Sequence, residues 1–191
     1  LAFSSLGRIH VMALLGGTPT RVSKSTMGEF GPVWSPDGKS LAFTAMPTDG
    51  YESDVNQLYL LDLSVPGAQP RRIDVAGEYV NDLKWVGPSS MVLNVTQEAS
   101  HQLIRLELKG AKVAVTALTA GDYDFGGFAY AGKTLVVERM DQNQANELYG
   151  LGGKAPVEPL YRGRTCRSDA LPGGGITRHR DHRYTWVLSE I

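Results

Sequence analysis

Trp34-Ser35-Pro36-Asp37-Gly38-Lys39-Ser40-Leu41-Ala42-Phe43 reads as a strand, a tight turn and a second strand, with each residue type suited to its place. Trp34 ends the first strand with a large ring to bury. Pro36 fixes φ at the first corner, Asp37 can accept hydrogen bonds from backbone N–H groups ahead of it, and Gly38 supplies the positive φ that closes the hairpin. Leu41 and Phe43 then share one face of the second strand, because side chains alternate along a strand with period two.

Working outward, Leu41-Ala42-Phe43-Thr44 is echoed by Leu1-Ala2-Phe3-Ser4. Each is followed by a second apolar run, Leu58-Tyr59-Leu60-Leu61-Asp62-Leu63 in one case and Ile9-His10-Val11-Met12-Ala13-Leu14 in the other. A Gly/Pro turn and a short polar-ended strand come next, through Gly67-Ala68-Gln69-Pro70-Arg71-Arg72-Ile73 and Gly16-Gly17-Thr18-Pro19-Thr20-Arg21-Val22-Ser23. The earlier copy lacks an opening strand. A third, diverged copy runs through Asp82-Leu83-Lys84-Trp85, Met91 to Val95, Gln102 to Leu108 and Val113 to Thr119. A fourth runs through Gly127 to Tyr130, Thr134 to Glu138, Glu147 to Leu151 and Val157 to Tyr161.

A repeat of about 40 to 50 residues decides architecture before any single motif does. Each unit here is an antiparallel meander of short, Val-, Leu-, Tyr- and Phe-rich runs separated by Gly, Pro, Asp and Asn, and helical periodicity is nowhere sustained. A lone four-stranded sheet leaves two apolar faces in water, and repeated sheets bury them by stacking around an axis. The expectation is therefore an all-β β-propeller of about four antiparallel four-stranded blades, forming a ring or part of one. A β-sandwich is the structural rival, disfavoured by the recurring order of strand, Gly/Pro turn and polar closing strand. The blades are expected at about 1–25, 26–77, 78–121 and 122–161, with 162–191 either a partial further blade or a basic tail. In that last stretch six arginines are scattered among Gly173-Gly174-Gly175 and two histidines, and Arg183 to Ser189 has the pattern of one more strand.

With 191 residues, 42% of them hydrophobic, the chain can furnish a buried core. Its formal net charge of −1 gives no basic face for nucleic acid. No window approaches the roughly 18 apolar residues of a membrane span, and no export signal is visible at Leu1-Ala2-Phe3-Ser4-Ser5. The single Cys166 cannot form an internal disulfide, so packing and strand pairing must hold the fold.

Catalytic and metal motifs fail on context. No Gly-x-Ser-x-Gly elbow exists for a serine nucleophile. Gly150-Leu151-Gly152-Gly153-Lys154-Ala155 matches a dinucleotide fingerprint in spacing, but Pro156-Val157-Glu158-Pro159 follows where a helix N-terminus would have to meet the pyrophosphate. Asp122 and Asp124 have calcium-loop spacing, yet Gly126 and Lys133 occupy the remaining ligand positions. His179-Arg180-Asp181 lacks the asparagine and the phosphate loop of a kinase. His179 and His182 could place two nitrogens near one metal but have no third ligand nearby. No catalytic residue, no metal site and no cofactor are expected. The acidic loop Asp49-Gly50-Tyr51-Glu52-Ser53-Asp54 interrupts the best-defined blade at what would be the propeller rim, and Asp49, Tyr51, Glu52 and Asp54 are the binding candidates. An ordinary hairpin connection is the plainer account of the same loop.

The stretch from Trp34 to Phe43 resembles the repeat of TolB-like propellers. That repeat recurs in the Tol-Pal periplasmic protein, in tricorn-type proteases, in the propeller domains of prolyl oligopeptidase and dipeptidyl peptidase relatives, and before some amidohydrolases. Phe3 to Met12, followed by Gly16-Gly17-Thr18-Pro19, resembles the latter part of the same repeat. Trp85 with Gly87-Pro88-Ser89-Ser90, and Tyr130-Ala131-Gly132-Lys133-Thr134-Leu135, resemble copies without the Pro-Asp-Gly turn. The resemblance covers about residues 1–161. It implies a non-catalytic propeller that scaffolds or gates a linked, peptidase-type hydrolase, with a protein or peptide as partner and a periplasmic or secreted location. The alternative it leaves open is a stand-alone interaction propeller of the Tol type. A sugar- or peptide-binding lectin-like propeller has no distinguishing residue here. An open arc would expose an apolar blade face and strand edges, so the chain is expected to be part of a longer protein or to self-associate.

Overall fold

The turn at Trp34 to Phe43 forms as its residues dictate. In the computed structural model, Gly38 has φ +69°. Asp37 Oδ1 accepts from Ser35 Oγ at 2.6 Å and from the Lys39 N–H at 3.1 Å. Ser35 Oγ in turn accepts from the Ser40 N–H at 2.9 Å, so two polar side chains and two backbone N–H groups close the hairpin. Trp34 is half-buried rather than enclosed, with its ring against the apolar cluster that Leu41 and Phe43 belong to.

The structure describes residues 1–151, except 52, 76–78, 111 and 132–133, together with 158–159. It is all-β. The first sheet has the order β1 (Ala2–Ser5), β2 (Arg8–Val11), β3 (Thr20–Arg21). The second is β4 (Gly28–Trp34), β5 (Ser40–Met46), β6 (Gln57–Asp62), β7 (Arg71–Ile73). The third is β8 (Tyr79–Gly87), β9 (Ser90–Gln97), β10 (Ser100–Lys109), β11 (Lys112–Ala117). The fourth is β12 (Asp124–Ala131), β13 (Thr134–Asp141), β14 (Gln144–Leu151), β15 (Glu158–Pro159). Every pairing is antiparallel between chain neighbours, which makes each sheet the meander that the repeats require.

The sheets stack face to face in chain order, and the three cores lie between them. Ile9 of the first sheet meets Leu41, Phe43, Tyr59 and Leu61 of the second. Ala42 and Leu58 on the opposite face meet Val80, Leu83, Met91, Leu93, Val95 and Ile104 of the third. Val92 and Leu103 then meet Phe125, Phe128, Leu135, Val137 and Tyr149 of the fourth. Leu41 and Phe43 do share a face, and β5 is apolar on both faces because it is packed on both. Burying a side chain such as Phe43 contributes about 1.5–3 kcal/mol, so the stacking supplies what a lone sheet lacks. This is a β-propeller arrangement, and among the described residues it does not close into a ring.

The first strand of each four-stranded sheet carries a register shift near its start: between Phe30 and Val33, between Val80 and Asp82, and between Phe125 and Phe128. These bulges bend the strand that lies against the neighbouring sheet, and they leave backbone groups that the ladder does not pair. Side chains bond at or beside them. Ser4 Oγ donates to the carbonyl of Glu29, just before the first bulge, at 2.5 Å. Asn94 Nδ2 donates to the carbonyls of Phe125 and Gly126 at 2.7 and 2.9 Å, and Glu138 Oε2 accepts the Gly127 N–H at 3.2 Å.

One expectation is corrected. The apolar run from Ile9 to Leu14 is a strand only as far as Val11, and Leu14 and Leu15 stand out in solvent at 85% and 103% exposure. Met12 still exchanges backbone hydrogen bonds with Leu1 in the same register, and the run then ends in a turn that the Gly16 N–H closes on the Ala13 carbonyl. The copy at Trp85 makes its hairpin without Pro-Asp-Gly, with Gly87 opposite Ser90 around Pro88-Ser89. Residues 162–191, with His179, His182 and Cys166, lie outside the described residues, as do Gly152 to Val157 of the glycine run.

Candidate functional site

In a meander the second-to-third strand turns and the links between sheets emerge at one end, and contacts across them confirm the grouping here. The Glu29 N–H donates to the Gly7 carbonyl, and the Val80 N–H to the Asn56 carbonyl. This end carries the longest loop, residues 47–56, which holds the binding candidates. The structure places them in different roles. Asp49 Oδ2 pairs with Arg8 Nη2 at 2.8 Å, and Arg8 Nη1 also donates to the carbonyls of Gly7 and Met27, so Asp49 ties the second sheet's loop to the first sheet. Asp54 Oδ2 accepts the Thr48 N–H at 2.7 Å and closes its own loop. Tyr51 presents its ring to solvent, 56% exposed. Glu52 lies outside the described residues.

At the same end, Glu29 is a fully buried carboxylate between the first two sheets. Oε2 accepts the Ile9 N–H at 3.1 Å and Oε1 accepts the Ser25 hydroxyl at 2.5 Å, so two donors replace its hydration. Between the third and fourth sheets, Asp124 Oδ1 accepts from the His101 N–H at 2.6 Å and from His101 Nδ1 at 2.9 Å. The calcium-like spacing of Asp122 and Asp124 therefore belongs to a link whose second carboxylate is already engaged. Among the described residues no group of three or more His, Cys, Asp or Glu side chains could hold a metal ion. None of the helices that could cross a membrane is present among them either.

A further cluster at this end was not singled out in the sequence. The Arg139 guanidinium lies against two rings, its carbon 4.2 Å from the Tyr123 centroid and 3.8 Å from the Tyr149 centroid. Its Nη2 donates to the Tyr149 hydroxyl at 2.6 Å, and that hydroxyl donates to Glu147 Oε2 at 3.0 Å. Burial first, and then the bond to Glu147, hold the Tyr149 phenol above its ordinary range, so it remains a neutral donor. The buried Gln102 amide donates to the Gly121 and Tyr123 carbonyls at 3.3 and 2.9 Å, which pins the link that carries Tyr123. The signal was available in the repeats, because Arg139 stands where the other blades place Ala45 and Val95.

No family model matches the chain. Among curated proteins it is similar to dipeptidyl-peptidase 5 of Porphyromonas gingivalis, at 28% identity over 156 residues, 80% of this chain and 22% of that protein. The chain thus spans about a fifth of the length of the curated relatives it matches. Among solved structures it resembles TolB from Acinetobacter baumannii, with a TM-score of 0.61 at 20% identity over 80% of this chain and 37% of that one. It also resembles the β-propeller domain of the trilobed protease from Pyrococcus furiosus, with a TM-score of 0.58 at 18% identity over 81% of this chain and 45% of that one. The β-propeller fold is shown, and the neighbours are the TolB-like and peptidase-associated propellers that the Trp34 motif implied.

Proposed function

We propose that this chain is a non-catalytic propeller module that scaffolds or gates access to a linked hydrolase of the peptidase type. The observation that carries the reading is the match to dipeptidyl-peptidase 5, in which four fifths of this chain aligns with about a fifth of a much longer peptidase. The lack of a nucleophile elbow in the sequence agrees with chemistry placed elsewhere. A peptidase's location outside the cytoplasm, periplasmic or secreted, goes with this reading. The mass of the natural gene product in its source cells tests it against the 20.7 kDa of this chain. A product several times larger that carries peptidase activity supports the reading. A product of matching mass sinks it.

A second reading has its own support. The likeness to TolB favours a stand-alone interaction propeller whose partner is another protein. A product of matching mass that co-purifies with one defined protein, or with a second copy of itself, would establish it.

A further inference from the structure

The repeats supply an internal control for each position on a blade. Phe43 pairs with Tyr59 and Ala45 with Gln57, while Val137 pairs with Tyr149 and Arg139 with Glu147. In the third sheet Leu93 pairs with Ile104 and Val95 with Gln102. Ala45, Val95 and Arg139 are thus the same position, on the face turned to the preceding sheet. Ala45 and Val95 there are wholly buried core residues. The fourth blade alone among these three puts a cation where the repeat calls for an apolar side chain.

An arginine at such a position gives up core packing, hydration and rotamer freedom, and an ion pair is the usual compensation. Among the described residues, no carboxylate lies within 4.0 Å of the Arg139 guanidinium. Glu147 stands directly across the strand pair, but its Oε2 accepts from the Tyr149 hydroxyl instead. Asp124, the neighbouring acid on β12, accepts from His101. One guanidinium nitrogen donates to the Tyr149 hydroxyl, and the guanidinium carbon lies 4.2 and 3.8 Å from the ring centroids of Tyr123 and Tyr149. The two rings, whose supports are themselves hydrogen-bonded, hold the group in place. A guanidinium held against aromatic rings is suited to take a carboxylate through two parallel N–H···O bonds. Local rules broken in this way concentrate at functional sites.

We propose that the junction of the third and fourth sheets, at the end carrying the 118–123 link, holds a carboxylate-binding site built on Arg139 beside Tyr123 and Tyr149. The ligand is a peptide carboxylate, from a free C-terminus or from an acidic side chain. The proposal does not depend on a linked hydrolase. Binding to the whole 191-residue chain is measured by NMR titration with three probes: N-acetyl-Gly-Phe as free acid, the same dipeptide as its amide, and N-acetyl-Glu amide. The free acid is expected to bind about tenfold or more tightly than the amide, the ratio that about one charge-assisted hydrogen bond confers. N-acetyl-Glu amide binding as well as the free acid identifies a side-chain carboxylate as the ligand; weaker binding identifies a chain end. Arg139→Gln is expected to erase the preference for acid over amide. Arg139→Lys, which keeps the charge without the fork, is expected to weaken the free acid at least about threefold. Equal binding of acid and amide by the native chain overturns the proposal, as does binding of neither. So does an unchanged affinity in Arg139→Lys, the variant that decides if Arg139→Gln does not fold.

Discussion

Replacing Asn94 with aspartate should unfasten the fourth sheet from the third, and its cost can be worked from the structure. Asn94 is 5% exposed, and its amide nitrogen serves the carbonyls of Phe125 and Gly126 at 2.7 and 2.9 Å, at the bulge of β12. The substitution is isosteric, so packing volume is kept. It exchanges a donor for an acceptor, losing two hydrogen bonds of about 1 kcal/mol each and leaving the buried Phe125 carbonyl facing a lone pair. A net loss of about 3 kcal/mol is expected at neutral pH. For a chain of this length that corresponds to a fall of about 6–12 °C in the unfolding midpoint, read by circular dichroism. Burial and the facing carbonyls both favour the neutral acid, so the new carboxyl has a higher pKa folded than unfolded. Its deficit is therefore full above the folded pKa and shrinks as pH falls towards the unfolded value. A midpoint within about 2 °C of the native chain at neutral pH, or a deficit that grows on acidification, would refute the reasoning.

Leu6 occupies a two-residue hairpin turn at φ +50°, next to Gly7 at +68°, and is 97% exposed, so it strains the backbone and packs on nothing. Leu6→Asn should stabilise the chain by about 1 kcal/mol, seen as a higher unfolding midpoint; a lower midpoint would show that Leu6 makes a contact. The Asp37 carboxyl is held below its ordinary range, first by the Ser35 hydroxyl and then by the Lys39 N–H. Its folded pKa is depressed, so the stability it contributes is present above the unfolded carboxylate range and fades as pH drops through the folded value. Asp37→Asn should flatten that acid-side slope in melts taken at neutral pH and near pH 3; an unchanged slope would place the titration elsewhere. Arg8→Ala should cost more than Asp49→Ala, because Arg8 also donates to two carbonyls, and a double-mutant cycle by chemical denaturation should give a coupling of about 1 kcal/mol or less for this partly exposed pair. Equal single-mutant costs would mean that the carbonyl bonds contribute nothing.

What could be read without coordinates were the features governed by near neighbours in the chain. The Pro36-Asp37-Gly38 turn, the alternation that puts Leu41 and Phe43 on one face, and the recurrence of the meander all follow from φ preferences and a period of two. They sufficed for the propeller fold. The run from Ile9 to Leu14 reads too long as a strand because hydrophobicity alone does not register the turn in which the Gly16 N–H donates to the Ala13 carbonyl. The candidate site was legible only as a loop. That Asp49 is engaged depends on Arg8, 41 residues earlier in the chain. That Glu29 is buried depends on the first sheet lying against β4. Arg139 differs from Ala45 and Val95 in a way the aligned repeats could have revealed. Its contact with Tyr149 is made within the fourth sheet, but its contact with Tyr123 depends on a link that Gln102 of the third sheet pins. Local geometry is set by a few bonds along the backbone, whereas the environment of a charge is set by whichever residues the stacked sheets bring to it.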